Sequence, residues 1–252
     1  MEVVSLGSGS KGNSTYVNMN GGHVLVDVGL SMKKINESLL IECGIDLEDI
    51  SMIFITHEHS DHIQSLPSIY KNYPHIKIAT TDKVFEGILK RNKLLIDEDR
   101  KVQLAENVLL KGKKYSVKPI RINHDVPTYA FLFNDGEERL CFIADNGGIT
   151  KNTLIEEFTG HDYYVLESNH DLTMQIFSER HEGLKRRVLN YYVRVIRNNT
   201  KAVMFNHLSQ ECNTLELCQT THEELIKIWG RKTDFNQIRL VYATQNDVVR
   251  LI

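Results

Sequence analysis

The chain has 252 residues, 41% hydrophobic and 25% charged, which supplies a sizeable core and excludes an unstructured polypeptide. A formal net charge of −3 removes any global electrostatic pull toward nucleic acid, while leaving room for a local basic patch. Its apolar runs are strand-sized and its start lacks a signal-like segment, so a cytoplasmic protein without membrane contact is expected.

In chain order, Glu2–Leu6 reads as a strand, followed by a Gly/Ser loop through Ser14. Thr15–Met19 and His23–Val28 form a hairpin turning at Asn20-Gly21-Gly22. A helix runs from Met32 to Cys43 and stops at Gly44, a suitable C-terminal cap. Met52–Thr56 is a short buried strand that leads directly into a histidine cluster. Helix is predicted over Ile63–Tyr73, strand over Ile76–Ala79 and helix from Asp82 to Lys90. The stretch from Val102 to Ala144 is rich in β signals, with turns near Gly112 and Asn134-Asp135-Gly136. Further strands are expected at Tyr163–Glu167 and Ala202–Phe205, helices at Thr153–Phe158, Glu182–Asn198 and Leu215–Trp229, and two strands at the end. Such alternation means an α/β fold. With no repeat and no Pro-rich linker, a single domain over residues 1–252 is the simplest organisation. Cys43, Cys141, Cys212 and Cys218 form no C-x-x-C pair and read as reduced structural thiols.

Gly7, Gly9 and Gly12 satisfy G-x-G-x-x-G, with Asp27 downstream, but a dinucleotide fingerprint needs a helix straight after the glycines. Thr15-Tyr16-Val17-Asn18-Met19 is β-branched, aromatic and alternating, so a strand follows and the nicotinamide reading fails. The same loop can still offer Ser10 or Asn13 to a phosphate.

The chemistry concentrates in Thr56-His57-Glu58-His59-Ser60-Asp61-His62. Imidazoles and a carboxylate suit zinc and similar divalent ions. Donors packed this closely after a strand cannot all reach one tetrahedral ion. Dividing them between two neighbouring ions is geometrically easier, with His57 and His59 on one, Asp61 and His62 on the other.

This cluster resembles that of metallo-β-lactamase-fold hydrolases, which implies a further His, a bridging Asp and a last His, each at a strand end. His124 follows Tyr115–Ile122, Asp145 follows Leu140–Ala144, and His207 follows Ala202–Phe205. The implied assignment is His57, His59 and His124 on one ion, Asp61, His62 and His207 on the other, and Asp145 bridging. Two divalent ions are expected, zinc or alternatively manganese, with Asp61 also placed in the catalytic group. Such a pair activates a shared water and suits phosphodiester hydrolysis. In Glu167-Ser168-Asn169-His170, His170 is the candidate proton donor to the leaving group, and Asn169 and His170 are candidate substrate contacts.

Along most of its length the chain resembles the WalJ-like (YycJ-type) branch of that superfamily. Matching stretches include Leu6 to Asn13, Asp27-Val28-Gly29-Leu30-Ser31, Thr56 to Ile63, Asn123-His124-Asp125, Ile143 to Gly147, Glu167 to Asp171, Leu184 to Leu189 and His207-Leu208-Ser209. The resemblance implies a four-layer αββα sandwich, two metals and DNA exonuclease activity. One element departs: Tyr191 to Arg197 stands where the branch carries Gly-His-x-Ser-Asn. A looser resemblance is to anti-Pycsar phosphodiesterases, with which phages degrade the cyclic-nucleotide signals of bacterial defence. The tRNA-gripping arm of RNase Z has no counterpart.

From these features the sequence favours a phosphodiesterase for small 3′,5′-cyclic nucleotides, on the strength of the charge and the departed element, with the host cytoplasm as its place if a phage encodes it. The alternative is a WalJ-like DNA exonuclease, supported by the basic stretch Arg180 to Arg197. A metal-stabilised nucleotide-binding protein is the third reading. A homodimer is also expected, with Lys111-Gly112-Lys113-Lys114-Tyr115 as a candidate contributor.

Overall fold

The computed structural model describes residues 1–147, 152–168, 192–207, 214–220, 222 and 237–252. Chain order begins with strands β1 (Glu2–Gly7), β2 (Ser14–Met19) and β3 (Gly22–Val26). Asn20 and Gly21 take left-handed backbone, φ 54° and 71°, as the two-residue hairpin loop between Met19 and Gly22 requires. Helix α1 (Met32–Ser38) is capped by Ser31, whose hydroxyl accepts from the Lys34 amide. It continues as a π turn, Leu39–Cys43, that stops at left-handed Gly44, φ 69°. Next come β4 (Met52–Phe54), α2 (Ser60–Ile63), α3 (Leu66–Asn72), β5 (Lys77–Thr81), α4 (Asp82–Asn92) and β6 (Lys101–Leu104). The helix expected over Ile63–Tyr73 is thus two shorter pieces, with Pro67 in the first turn of the second, where its missing N–H does no harm.

Strands β7 (Leu110–Lys111), β8 (Ser116–Ile122), β9 (Thr128–Asn134) and β10 (Arg139–Ile143) form a meander. After it come α5 (Asn152–Phe158), β11 (Tyr163–Glu167), α6 (Tyr192–Val195), β12 (Ala202–Asn206), β13 (Arg239–Tyr242) and β14 (Val249–Arg250). Most of the basic stretch, residues 180–191, lies outside the described residues, as do Asn169 and His170.

Two seven-stranded sheets result, ordered β14-β1-β2-β3-β4-β5-β6 and β13-β12-β11-β10-β9-β8-β7. Each combines antiparallel pairing with a parallel run: β3 to β6 in the first sheet, β10 to β13 in the second. Side-chain period assigns the faces of the second sheet. Leu140 and Phe142 on β10, Tyr163 and Val165 on β11, and Ala202 and Met204 on β12 join the large core shared with the first sheet. Their alternates, Cys141, Ile143, Tyr164, Leu166, Val203 and Phe205, meet Ile155 and Phe158 of α5 and Val195 of α6 in a second core. On the first sheet Ile35 of α1, Leu66 and Ile69 of α3, and Val84 and Ile88 of α4 are fully buried. The layers are therefore helix, sheet, sheet, helix, the αββα sandwich.

Aromatic contacts and one backbone bond join the sheets. Phe54 of β4 meets Phe133 and Phe131 of β9 edge-on, with ring centroids 5.1 and 5.5 Å apart. Nearby, the Tyr129 amide donates to the Thr56 carbonyl at 3.1 Å. Among the described residues no helix is long and apolar enough to cross a membrane. Cys43, Cys141 and Cys218 are thiols rather than disulfides.

The second core also encloses a histidine. His161 is buried beside α5, with Nδ1 3.2 Å from the Phe158 carbonyl, and burial pushes its pKa down to about 4. Unfolded, an imidazole titrates near 6.5, so between these values the unfolded chain binds more protons than the folded one. The contribution is complete above pH 6.5 and is lost as pH falls toward 4. Urea unfolding of wild type and His161→Gln at stepped pH should show their stability gap narrowing, by on the order of 1–2 kcal/mol from pH 7 to pH 5. A gap that stays constant over that range would refute this assignment.

Candidate metal centre

The site forms where strand ends from both sheets meet, the customary place for ligands in open α/β sheets. Its first support is Asp27, just after β3. This fully buried carboxylate accepts from the Thr56 amide (2.9 Å), the Thr56 hydroxyl (2.8 Å) and His62 Nδ1 (2.7 Å). A carboxylate behind a histidine fixes both tautomer and ring direction, so His62 turns Nε2 into the site. Backbone packing explains the neighbouring glycine. The Val28 amide donates to the His62 carbonyl at 2.7 Å, and the Asn13 amide to the Asp61 carbonyl at 2.8 Å. A Cβ on Gly29 would stand 1.5 Å from that Asp61 oxygen, so only glycine fits there.

Seven side chains then converge as two groups sharing one residue. His57, His59, His124 and Asp145 form one, and Asp61, His62, Asp145 and His207 the other. Within each group the donor atoms lie within 4.8 Å of one another. These are the seven residues, in the two sets, that the sequence singles out. His57 and His59 come from the loop after β4, His124 from that after β8, Asp145 from that after β10, and His207 from that after β12. Asp27 and His207 both hold left-handed backbone, φ 59° and 51°, a strained geometry that tends to gather at working sites.

The donor atoms fit a cation. His57 Nε2 and His124 Nε2 are buried with no hydrogen-bond partner among the described residues, and His207 Nδ1 and Asp145 Oδ1, also buried, lie in a 2.7 Å ion-pair contact with each other. Buried polar atoms left this way are costly unless something else satisfies them, and a divalent ion does so. Burial, helped by neighbouring imidazoles, pushes His57 well below its ordinary pKa and lowers His124, leaving both as neutral donors. In the other group burial opposes charge, but the surrounding carboxylates together raise both histidines, Asp145 with Asp27 at His62, and Asp145 with Asp61 and Glu167 at His207. Burial also works against ionised Asp61 and Asp145, and the facing histidines overcome it to hold both carboxyls low. That group therefore demands positive charge, which protons or a divalent cation supply.

Several supporting residues are not evident from the sequence. Glu167, at the end of β11, is buried. It accepts from the backbone and side-chain nitrogens of Asn146, and lies 3.6 Å from His207 Nδ1. It thereby steadies the turn that carries Asp145. Burial raises its pKa, with the Asp145 charge adding to the effect. Ser8 accepts the His207 amide at 2.8 Å. Asn13, read from the sequence as a phosphate contact, faces inward instead. Its Oδ1 accepts from Ser8 and Gly9, while Nδ2 lies 3.4 Å from Asp61 Oδ2 and 3.3 Å from His62 Nε2. Ser10 sits exposed on the same loop. Asp27 had a visible signal, a lone Asp in Val-Asp-Val-Gly at a strand end; Glu167 had only its strand-end position.

Asp27→Asn keeps the size and loses the charge behind His62. It should weaken metal retention by roughly 10–100-fold, read as zinc content after graded dialysis against a chelator. Unchanged retention would remove Asp27 from its supporting role.

Comparison with known proteins agrees with this geometry. Residues 23–190 match the model of the β-lactamase superfamily domain. Exodeoxyribonuclease YycJ of Bacillus anthracis is 28% identical over 240 residues, 89% of either chain. Anti-Pycsar protein Apyc1 of Paenibacillus harenae is 26% identical over 169 residues, 58% of this chain and 67% of that protein. The crystal structure of the metallo-β-lactamase-fold protein YhfI from Bacillus subtilis superposes with a TM-score of 0.71 over 99% of this chain and 98% of that one. At 15% identity the likeness is one of fold. With two thirds of its length matched and its layers and strand-end site in place, the chain belongs to the β-lactamase superfamily, in its metallo-β-lactamase fold.

Proposed function

We propose that this chain is a two-metal phosphodiesterase that degrades DNA from its ends. The observation that supports hydrolysis is the pair of donor groups sharing Asp145, since one carboxylate common to both would let two cations be held side by side. Two divalent cations, zinc or manganese, lower the pKa of a shared water and neutralise charge developing on phosphate oxygens. Asp27, Glu167 and Asn13 hold the donors in place. His170 is the proposed proton donor to the departing alkoxide.

The extent of similarity bears on the substrate. The likeness to the exodeoxyribonuclease runs over 89% of both chains, whereas that to the anti-Pycsar protein stops at 58% of this one. That shifts the balance toward a polymer, away from the small cyclic nucleotide that charge alone favours. Hydrolysis of 3′,5′-cyclic nucleotides stays as the second reading, supported by the net charge of −3 and by the anti-Pycsar likeness.

Zinc- or manganese-loaded protein, assayed on linear duplex DNA and on 3′,5′-cyclic nucleotides, separates the two. Expected are shortened duplexes, DNA binding that falls steeply between about 50 and 200 mM salt, and a loss of about 100-fold or more in His59→Ala. Intact DNA beside rapid release of mononucleotide from the cyclic compounds would overturn the polymer reading. Nucleotide binding with no turnover of either substrate would reduce the protein to a binder. His170→Ala should slow cleavage of ordinary phosphodiesters far more than that of esters with activated leaving groups, which need no proton. Equal slowing of both, or none, would strike His170 from that role.

A further inference from the structure

We propose that Asp125 supplies an eighth, exchangeable donor to the ion held by His57, His59 and His124. The inference rests on the two-metal reading above. Seven donors account for both groups, four from the His-x-His-x-Asp-His run and three from later strand ends; Asp125 belongs to neither group.

Its place is informative. The Asp125 carboxylate straddles two imidazoles, with Oδ2 3.3 Å from His59 Nε2 and Oδ1 3.2 Å from His124 Nε2. Hydrogen bonding does not account for the second contact, because His124 Nε2 has no hydrogen-bond partner among the described residues. Ligand geometry does. Two donors about 2.0–2.1 Å from one ion lie roughly 3.3 Å from each other, and each Asp125 oxygen stands at that spacing from one imidazole nitrogen, so a small turn of the carboxylate brings one oxygen to a co-ligand position.

Exposure separates this carboxylate from the others. The side chains of Asp145 and Asp61 are 7% and 21% exposed, whereas that of Asp125 is 67% exposed. The imidazoles beneath it, His59 and His124, are the partly open ones, while His57 is sealed. Asp125 therefore covers the only side from which the first group is open among these donors. An exposed side chain on a short stem can swing away at little cost, so this donor can yield to an incoming phosphate oxygen. An added oxygen also makes the first group harder than three histidines and one carboxylate, moving its preference toward manganese relative to zinc.

The test compares wild type, Asp125→Asn and Asp125→Ala as folded, metal-loaded proteins, with circular dichroism as the folding control. Cobalt substitution reads coordination directly, because loss of a ligand intensifies the visible bands; release of zinc to a chelator reads retention. Expected is stronger cobalt absorption in Asp125→Ala and about tenfold faster loss of one zinc equivalent, with the second equivalent unchanged. Asp125→Asn, which keeps a carbonyl oxygen, should fall between. Identical spectra and release rates in all three, with wild type binding two equivalents, would overturn the proposal and leave the two-metal reading intact. Wild type that binds no metal would overturn both.

Discussion

Everything at the metal centre depends on one buried carboxylate. Asp27 enters the space between the sheets at the end of β3 and takes three hydrogen bonds, two from Thr56 and one from His62. A buried charge is tolerable only when it is so fully satisfied, which makes the arrangement all-or-none. Satisfying Asp27 ties the end of β4 to the first turn of α2; the loop between them carries His57 and His59, and the turn itself carries Asp61 and His62. The donors are aimed by a charge that does not itself face the cation.

The second sheet answers with the same device on a different scaffold. Parallel pairing of β10, β11 and β12 brings their carboxyl ends level, placing Asp145, Glu167 and His207 side by side. Glu167 then does for the turn at Asn146 what Asp27 does for the loop at Thr56. Each sheet thus contributes a supporting carboxylate one layer behind the donors, and the contact between Phe54 and β9 keeps the two halves in register.

Much of this was legible in the residues. A dense His-x-His-x-Asp-His run after a buried strand has few other uses, and the continuous apolar runs Leu140–Ala144 and Tyr163–Leu166 mark where buried strands end. The supporting shell was less visible for physical reasons. Asp27 stands 29 residues before Thr56 and 35 before His62, and only the parallel pairing of β3 with β4 brings them together. The bracing contacts of Asn13 were hidden because a Gly/Ser loop can cradle an anion, brace its neighbours or do both. The choice depends on Asp61 and His62, far along the chain. Asp125 is visible in the sequence only as the neighbour of His124, since no spacing rule brings it beside His59.

The two donor groups are unequal, and the inequality has consequences for how such a centre works. Three donors of the second group, His62, His207 and Asp145, are almost completely enclosed, and the fourth, Asp61, is about one fifth exposed. In the first group both His59 and His124 are about one fifth exposed, beside a carboxylate, Asp125, that is mostly in water. In the proposed two-metal enzyme the more enclosed group is suited to hold charge steady, and the more open one to exchange a ligand. A site built this way separates retention from exchange by burial, with the same kinds of side chain on both sides.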